Sequence, residues 1–585
     1  MKLEYGLIDE SFKYIYGNRD FDNSRLCFEN KEIELVSAKG DWSSFQVVVR
    51  AKEDITVSIS KNPYFNPLGT LSNVRINVTL PGLPDADIKM NFIGLMEDDD
   101  RLLKSDILLN QESLVVEKNK AQPVWVEIST PENCKPGKYT GKVEFYTHKM
   151  FDCEIKLGTL TFEIEVKNIV MPRPHEYTFY LDLWQHLSNI ARKHEVVLWS
   201  EEHFKIIEEY LKTLAELGQK SITLIVSEIP WSGQRKMRCR NYLSDLFEYN
   251  IVRIEKDVNG QFKYDFSIAE KYIKLCIQYG ISKEIELFGL INIWLAEEDG
   301  YTGIIEDYPD AVRIRYYDKS DGCYKYMYSK EELKAYIKAL ENFFIEKQWI
   351  SIVRVVADEP SDEELYMSRL SFLKETAPSF KYKTAINHAE FIEKSKNLIS
   401  DFAPILPAVF EKMDLIKDII GNFKGRMLWY VCCNPDYPNT FIMSPLLESR
   451  LIGLLTAFLN FDGFLRWNYT AWPEKPREKI YLNYPKWKAG DTNFVYPAWN
   501  GKPLLSLRYK HLKRGIEDFE LIQRVRQYHP DHKNILNTIW DRIFRFNDIK
   551  DFYTPAIDVN ELYSLDYEDY VWVRKTLLEA LEQVC

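Results

Sequence analysis

The chain has 585 residues and 69.2 kDa, with 45% hydrophobic residues, 28% charged residues and a formal net charge of -12. That balance belongs to a folded protein, and an acidic surface repels phosphate, so nucleic acid and anionic membranes are disfavoured and a neutral partner is expected. The unusual feature is aromatic: 36 Tyr, 32 Phe and 14 Trp make up 14% of the chain.

The first residues, Met1–Asn18, carry no basic segment followed by an apolar one, so no signal peptide is visible and the expected location is cytoplasmic, or secreted if a leader has been removed. No run of about 18 apolar residues occurs, so no membrane insertion is expected. The nine cysteines include one adjacent pair, Cys432 and Cys433, but no CxxC spacing, so reduced thiols and neither metal nor cofactor are expected. Nothing in the sequence sets the oligomeric state.

From about residue 27 to 168, short alternating apolar segments recur: Phe45–Arg50, Ile55–Ser60, Val74–Leu80, Val124–Ser129, Tyr139–Tyr146 and Leu160–Val166. Period-two alternation rich in Val, Ile, Thr and aromatics predicts half-buried antiparallel strands, separated by turn residues such as those of Pro81–Pro84. The expected unit is a β-sandwich over residues 1–170, ending at the proline-bearing linker Val170–His175.

Residues 171–585 alternate strand-like with helix-like segments. The predicted strands are Thr178–Trp184, Ser221–Val226, Glu284–Trp294, Ser351–Ala357, Lys381–Asn387, Phe402–Val409, Arg426–Cys432 and Asp462–Trp467. Helical spacing marks Glu201–Gly218, Ser267–Gly280, Lys330–Trp349, Asp362–Thr376, Glu390–Leu398, Lys412–Phe423, Pro445–Asn460 and Leu507–Tyr528. Eight such pairs are the count that closes a (β/α)8 TIM-type barrel, here with C-terminal helices. A doubly wound sheet is the alternative, but no GxGxxG, GxxxxGK[ST] or GxSxG is present to support it, and no HExxH supports a zinc protease.

In a barrel, chemistry sits where strands end and βα loops begin. Those ends carry Trp184 and His186, Trp231, Trp294, Asn387, Tyr430, and then Trp467 and Trp472. Aromatic faces suit the C–H faces of a sugar. Asp358-Glu359-Pro360, after the apolar run Ile352–Ala357, is the sharpest candidate. Adjacent side chains on a regular strand point to opposite faces, so both carboxylates enter one site only if the chain bends there. The competing reading makes Asp358, Glu359 and Asp362–Glu364 a solvated acidic helix start. Glu517, Asp518, His203 and His511 lie on helices and read as structural partners.

These residues resemble glycoside hydrolase family 123. The resemblance is carried by Asp182–His186, Leu198–His203, Pro230-Trp231, Ala357–Pro360, Asp462–Trp467, Gly490–Pro497 and Ser506–Asp518, in that order across about residues 180 to 520. It implies a retaining β-N-acetylgalactosaminidase whose substrate is an oligosaccharide or glycoconjugate. The sugar's own 2-acetamido group is then the nucleophile, stabilised by Asp358, with Glu359 as general acid and base. Trp184, His186, Trp231, Asn387, Tyr430, Trp467 and Trp472 become candidate sugar contacts. Two alternatives stand beside it: a conventional two-carboxylate glycosidase using Glu297, Glu298 or Asp299, and an inactive carbohydrate-binding protein on the same scaffold.

Overall fold

The computed structural model describes residues 2–16, 26–62, 70–230, 247–291, 302–388, 390–472, 487–546, 548–553 and 558–584. The N-terminal region forms two six-stranded sheets. One contains Leu3–Asp9, Trp42–Ala51, Ala121–Ser129, Asp87–Glu97, Leu103–Leu109 and Ile15–Tyr16 in spatial order; the other contains Glu32–Lys39, Ile155–Val170, Gly137–His148, Ser72–Thr79, Ile55–Ser58 and Ser113–Val116. Phe45, Val47 and Val49 of the first and Ile76, Phe145 and Phe162 of the second share one apolar core. Most pairs are antiparallel as expected, but Ile155–Val170 runs parallel to Glu32–Lys39, and Ile55–Ser58 runs parallel to Ser72–Thr79.

One expectation about burial needs correction. Trp42–Ala51 is buried on both faces except at Arg50, because the second face is covered by the C-terminal region. Trp42, Ile93, Leu108 and Trp125 pack there against Leu446 and Leu507. Burying one such large apolar side chain is worth roughly 1.5–3 kcal/mol. Charged pairs complete the junction: Arg508 donates to Asp106 at 2.9 and 3.0 Å, and Arg514 and Arg574 donate to Asp41 at 3.1 and 2.7 Å. The Trp42 indole donates to Glu517 at 2.8 Å, while Asp518 accepts from Arg450 and Arg574, so both acids are the structural partners their helix position suggests.

The C-terminal region is built on an eight-stranded parallel sheet. In chain order its strands are Tyr180–Leu183, Ser221–Ile225, Glu284–Phe288, Val353–Asp358, Lys381–Ile386, Asp401–Pro404, Arg426–Tyr430 and Gly463–Arg466. The eighth pairs with the first, and the first meets the second at the single bridge Leu181–Gln219, which leaves a nearly closed barrel. The sixth strand is shorter than expected. It stops at Pro404, and Leu406–Glu411 is helical, because a proline such as Pro407 fits the first turn of a helix, where its missing N–H is not needed. Between strands the helices fall where their apolar spacing puts them. In Glu201–Glu216, Ser200 caps the start and Phe204, Ile207, Leu211 and Leu214 are buried.

The barrel interior near its N-terminal end is charged. The Lys383 ammonium donates to Asp182, to Glu284 at 3.0 Å and to Glu286 at 2.8 Å, and all four side chains are fully buried. Arg354 and Arg426 pair with Asp401 beside it, and Arg426 also reaches Glu284. Burial, then the charge of Asp182, pushes the Glu286 carboxyl well above its usual range. With Glu286 protonated, the three cations face three carboxylates and the cluster is neutral.

Candidate active site

The fourth strand ends at Asp358, whose register partner on the fifth strand is Ala385. Glu359 continues the ladder by one bond, its N–H donating to the Ala385 carbonyl at 2.8 Å. Its φ is then +45°, a left-handed conformation that costs an ordinary side chain roughly 1–2 kcal/mol. This is the bend that two adjacent carboxylates need in order to serve one site, and strain of this kind concentrates at functional positions.

Across the mouth, Tyr430 is the last residue of the seventh strand and 3% exposed. Its hydroxyl donates to Glu359 Oε1 at 2.6 Å. Burial first, then the charges of Glu359, Cys432 and Asp358, hold this phenol well above its usual pKa. The phenol therefore stays protonated and donates. Asp358 and Glu359 are both half-buried, and among the described residues Glu359 has no cationic partner. The helix-start reading applies further along: Asp362 accepts from the Leu365 N–H at 2.9 Å and caps Glu363–Thr376.

The expected aromatic contacts separate into three groups. Trp467 is half-buried, stands edge-on to His186 at 6.2 Å and tilts against Trp487 at 4.9 Å. Trp184 is fully buried with its ring against Phe288 at 4.8 Å, so it fills the barrel interior. His186 is also fully buried, and burial pulls its imidazole down to about 3, which keeps it neutral. Trp472 is corrected outright. It is 0% exposed, its indole donates to the Val495 carbonyl at 2.7 Å, and it packs on Tyr210 and His194. A ring enclosed in this way has no face left for a sugar. Trp231 lies outside the described residues, as do Trp294, Glu297, Glu298 and Asp299.

Asn387, one residue past the fifth strand, is half-buried, and its Oδ1 is enclosed without a donor among the described residues. Buried acceptors are nearly always paired, so this atom is suited to a donor brought by a ligand. Sequence reasoning missed Asp491, although it lies in Gly490–Pro497, one of the stretches that carry the resemblance. Asp491 Oδ1 accepts from Arg466 at 2.8 Å and from the Trp467 indole at 3.3 Å, and Arg466 also donates to the Val431 carbonyl at 3.2 Å. One buried ion pair thus fixes the ends of the seventh and eighth strands. His203 and His511 are structural: His203 Nε2 lies 3.0 Å from the Leu187 carbonyl, and His511 Nε2 lies 3.1 Å from that of Glu10.

Among curated proteins none matches this chain. Among solved structures, that of a family 123 glycoside hydrolase from Clostridium perfringens, described for glycolipid glycan hydrolysis, matches with a TM-score of 0.72 at 20% identity. That match covers 100% of this chain and 97% of the other. A β-D-glucuronidase from Dictyoglomus thermophilum matches with a TM-score of 0.30 at 10% identity, covering 80% of this chain and 70% of its own. Two family models match directly: the glycoside hydrolase 123 catalytic domain over residues 184–525 and the glycoside hydrolase 123 N-terminal domain over residues 23–147. With more than half of its length under the catalytic-domain model, the chain belongs to glycoside hydrolase family 123.

Proposed function

We propose that this glycoside hydrolase removes a terminal β-linked N-acetylgalactosamine, or a related N-acetylhexosamine, with retention of configuration and with the sugar's own acetamido group as nucleophile. The observation that carries the reading is the left-handed turn at Glu359, which follows Asp358 directly and puts the Glu359 carboxylate on the Tyr430 hydroxyl. Asp358 accepts the acetamido N–H and balances the positive charge that develops as the carbonyl oxygen attacks the anomeric carbon. Glu359 gives its proton to the leaving oxygen, then takes one from the water that opens the oxazolinium-type intermediate. General acid catalysis of this kind is worth about 10²–10⁴-fold.

Adjacent carboxylates suffice only when the protein supplies no nucleophile on the opposite face, which is why substrate-assisted enzymes escape the usual spacing of two carboxyl groups. The described surroundings support this. Glu228, near the end of the second strand, is held by Arg315 at 2.6 and 2.9 Å and by Tyr326 at 2.5 Å. Asp491 is held by Arg466. Neither is a free nucleophile. The half-buried Trp467 suits an uncharged sugar ring. We read the two N-terminal sheets as a β-sandwich that braces the barrel through Arg508–Asp106 and the Trp42 contacts, with no glycan contact of its own.

The test is hydrolysis of an aryl β-N-acetylgalactosaminide against the matching aryl β-galactoside. Cleavage of the first alone is expected, and equal cleavage of both would rule out acetamido participation.

A further inference from the structure

We infer that Cys432 and Cys433 form a thiol-modification site at the barrel mouth, a vicinal dithiol that captures one thiophilic centre of the trivalent-arsenic class and thereby shuts the site. The inference rests on reading this mouth as the active site. The two residues follow the seventh strand, two and three positions beyond Tyr430. Their sulfurs lie 3.8 Å apart, with Cys432 half-buried and Cys433 exposed. The turn that holds them is tied down. The Cys432 N–H donates to the Asn434 carbonyl at 3.2 Å, and its own carbonyl accepts from Asn439 at 3.0 Å. Asn439 in turn accepts from Arg466 at 3.0 Å, the residue that fixes both strand ends.

The geometry selects among thiol reactions. A disulfide needs its Cα atoms roughly 4.4–6.8 Å apart, whereas neighbours across a trans peptide are about 3.8 Å apart, so oxidation to a ring disulfide is strained. A single bridging atom meets no such obstacle. Two bonds of about 2.3 Å, the length thiolates make to a thiophilic metal such as zinc, span anything up to about 4.6 Å. The thiol of Cys432 is raised by its hydrogen bond to Cys433, by burial and by the charges of Cys433, Glu359 and Asp491, so it stays protonated. Cys433, the exposed partner, attacks first. With phenylarsine oxide, two As–S bonds form and the As–O bond breaks. The oxygen leaves as water with both thiol protons, and no atom changes oxidation state. The bound group then sits two positions along the chain from Tyr430, whose hydroxyl holds Glu359. Elsewhere among the described residues, Cys134, Cys153, Cys276 and Cys323 are far apart in sequence and carry no such paired contact, so each offers one bond, which an added monothiol reverses.

The experiment is intact-mass analysis and aryl glycoside hydrolysis on the full chain after one equivalent of phenylarsine oxide, with Cys433→Ser alongside. The expected result is one adduct, formed with loss of water, that survives excess monothiol and is removed by 2,3-dimercaptopropanol. Hydrolysis is lost in proportion to the adduct and returns when it is removed. Cys433→Ser keeps its basal activity and forms no monothiol-resistant adduct. Three results would overturn the inference: no such adduct in the wild type, the same adduct in Cys433→Ser, or an adduct that leaves hydrolysis unchanged. If the unmodified protein cleaves no aryl glycoside, that failure counts against the proposed function. Sugar binding by calorimetry, lost in the adduct and kept in Cys433→Ser, then carries the test.

Discussion

The two ends of the barrel both gather carboxylates, and they treat them in opposite ways. Near the N-terminal end Asp182, Glu284, Glu286 and Asp401 are buried around Lys383, Arg354 and Arg426, and every full charge has a partner. At the C-terminal end Asp358 and Glu359 are half-buried, and Glu359 is met by a neutral phenol instead of a cation. A carboxylate paired with an ammonium in the dry interior cannot give up or take a proton cheaply, whereas one held by a neutral donor at a solvent boundary can. Residue type does not separate the two sets; the charge of the neighbouring group and the access to solvent do.

The largest effect expected from breaking this contrast is at the mouth. Glu359→Gln should lower glycoside hydrolysis by about 10²–10⁴-fold with an unchanged melting temperature, as read by steady-state kinetics and calorimetry. At the other end the effects exchange places. Lys383→Met leaves the buried Asp182 and Glu284 carboxylates without their ammonium and should cost about 3–5 kcal/mol of stability in denaturant unfolding. Glu286→Gln keeps a neutral group in place and should cost far less.

Glu448 provides an intermediate case. It is buried and held by neutral donors, the Asn439 N–H at 2.9 Å and the Tyr563 hydroxyl at 2.8 Å, and burial raises its carboxyl to about 7. A raised carboxyl binds its proton more tightly in the folded state. Its contribution is therefore complete below the ordinary glutamate range and is lost as pH rises through about 7. Stability should fall by about 3 kcal/mol over that interval on its account, at about 1.36 kcal/mol for each pH unit crossed, and Glu448→Gln should flatten that part of the curve. Tyr430→Phe removes a hydrogen bond to a charged group, worth about 1.5–3 kcal/mol, and should lower kcat more than it changes KM. The smallest effect is at Trp467→Phe, which removes the indole donor to Asp491 and leaves the buried Arg466–Asp491 pair intact. It should raise KM while kcat holds.

Much of this architecture is legible in the sequence. Parallel strands covered on both sides read as apolar runs, so Val353–Asp358 stands out, and Asp358-Glu359 stands out at its end. The charged interior is less visible. Glu284 and Glu286 are spaced by two, as inward-facing residues must be, but nothing local says that Lys383, about a hundred positions away, will meet them. Trp472 shows the limit of the strand-end argument, because a tryptophan just past a strand looks the same whether it faces a ligand or closes a core. Asp491 escapes for the same reason in reverse: its partners Arg466 and Trp467 are near in space but 25 and 24 positions away in sequence. The two-sided burial of Trp42–Ala51 comes from the contact with Leu446 and Leu507, which alternation within the strand cannot reveal.

The acetamido mechanism is tested most directly by a crystal structure with a thiazoline analogue of the oxazoline intermediate. The Asp358 carboxylate is expected within hydrogen-bond distance of the ring nitrogen, with Glu359 on the face from which the aglycone leaves. A thiazoline bound in the mouth with its nitrogen on some other group, or not bound there at all, would contradict the assignment of Asp358 and Glu359.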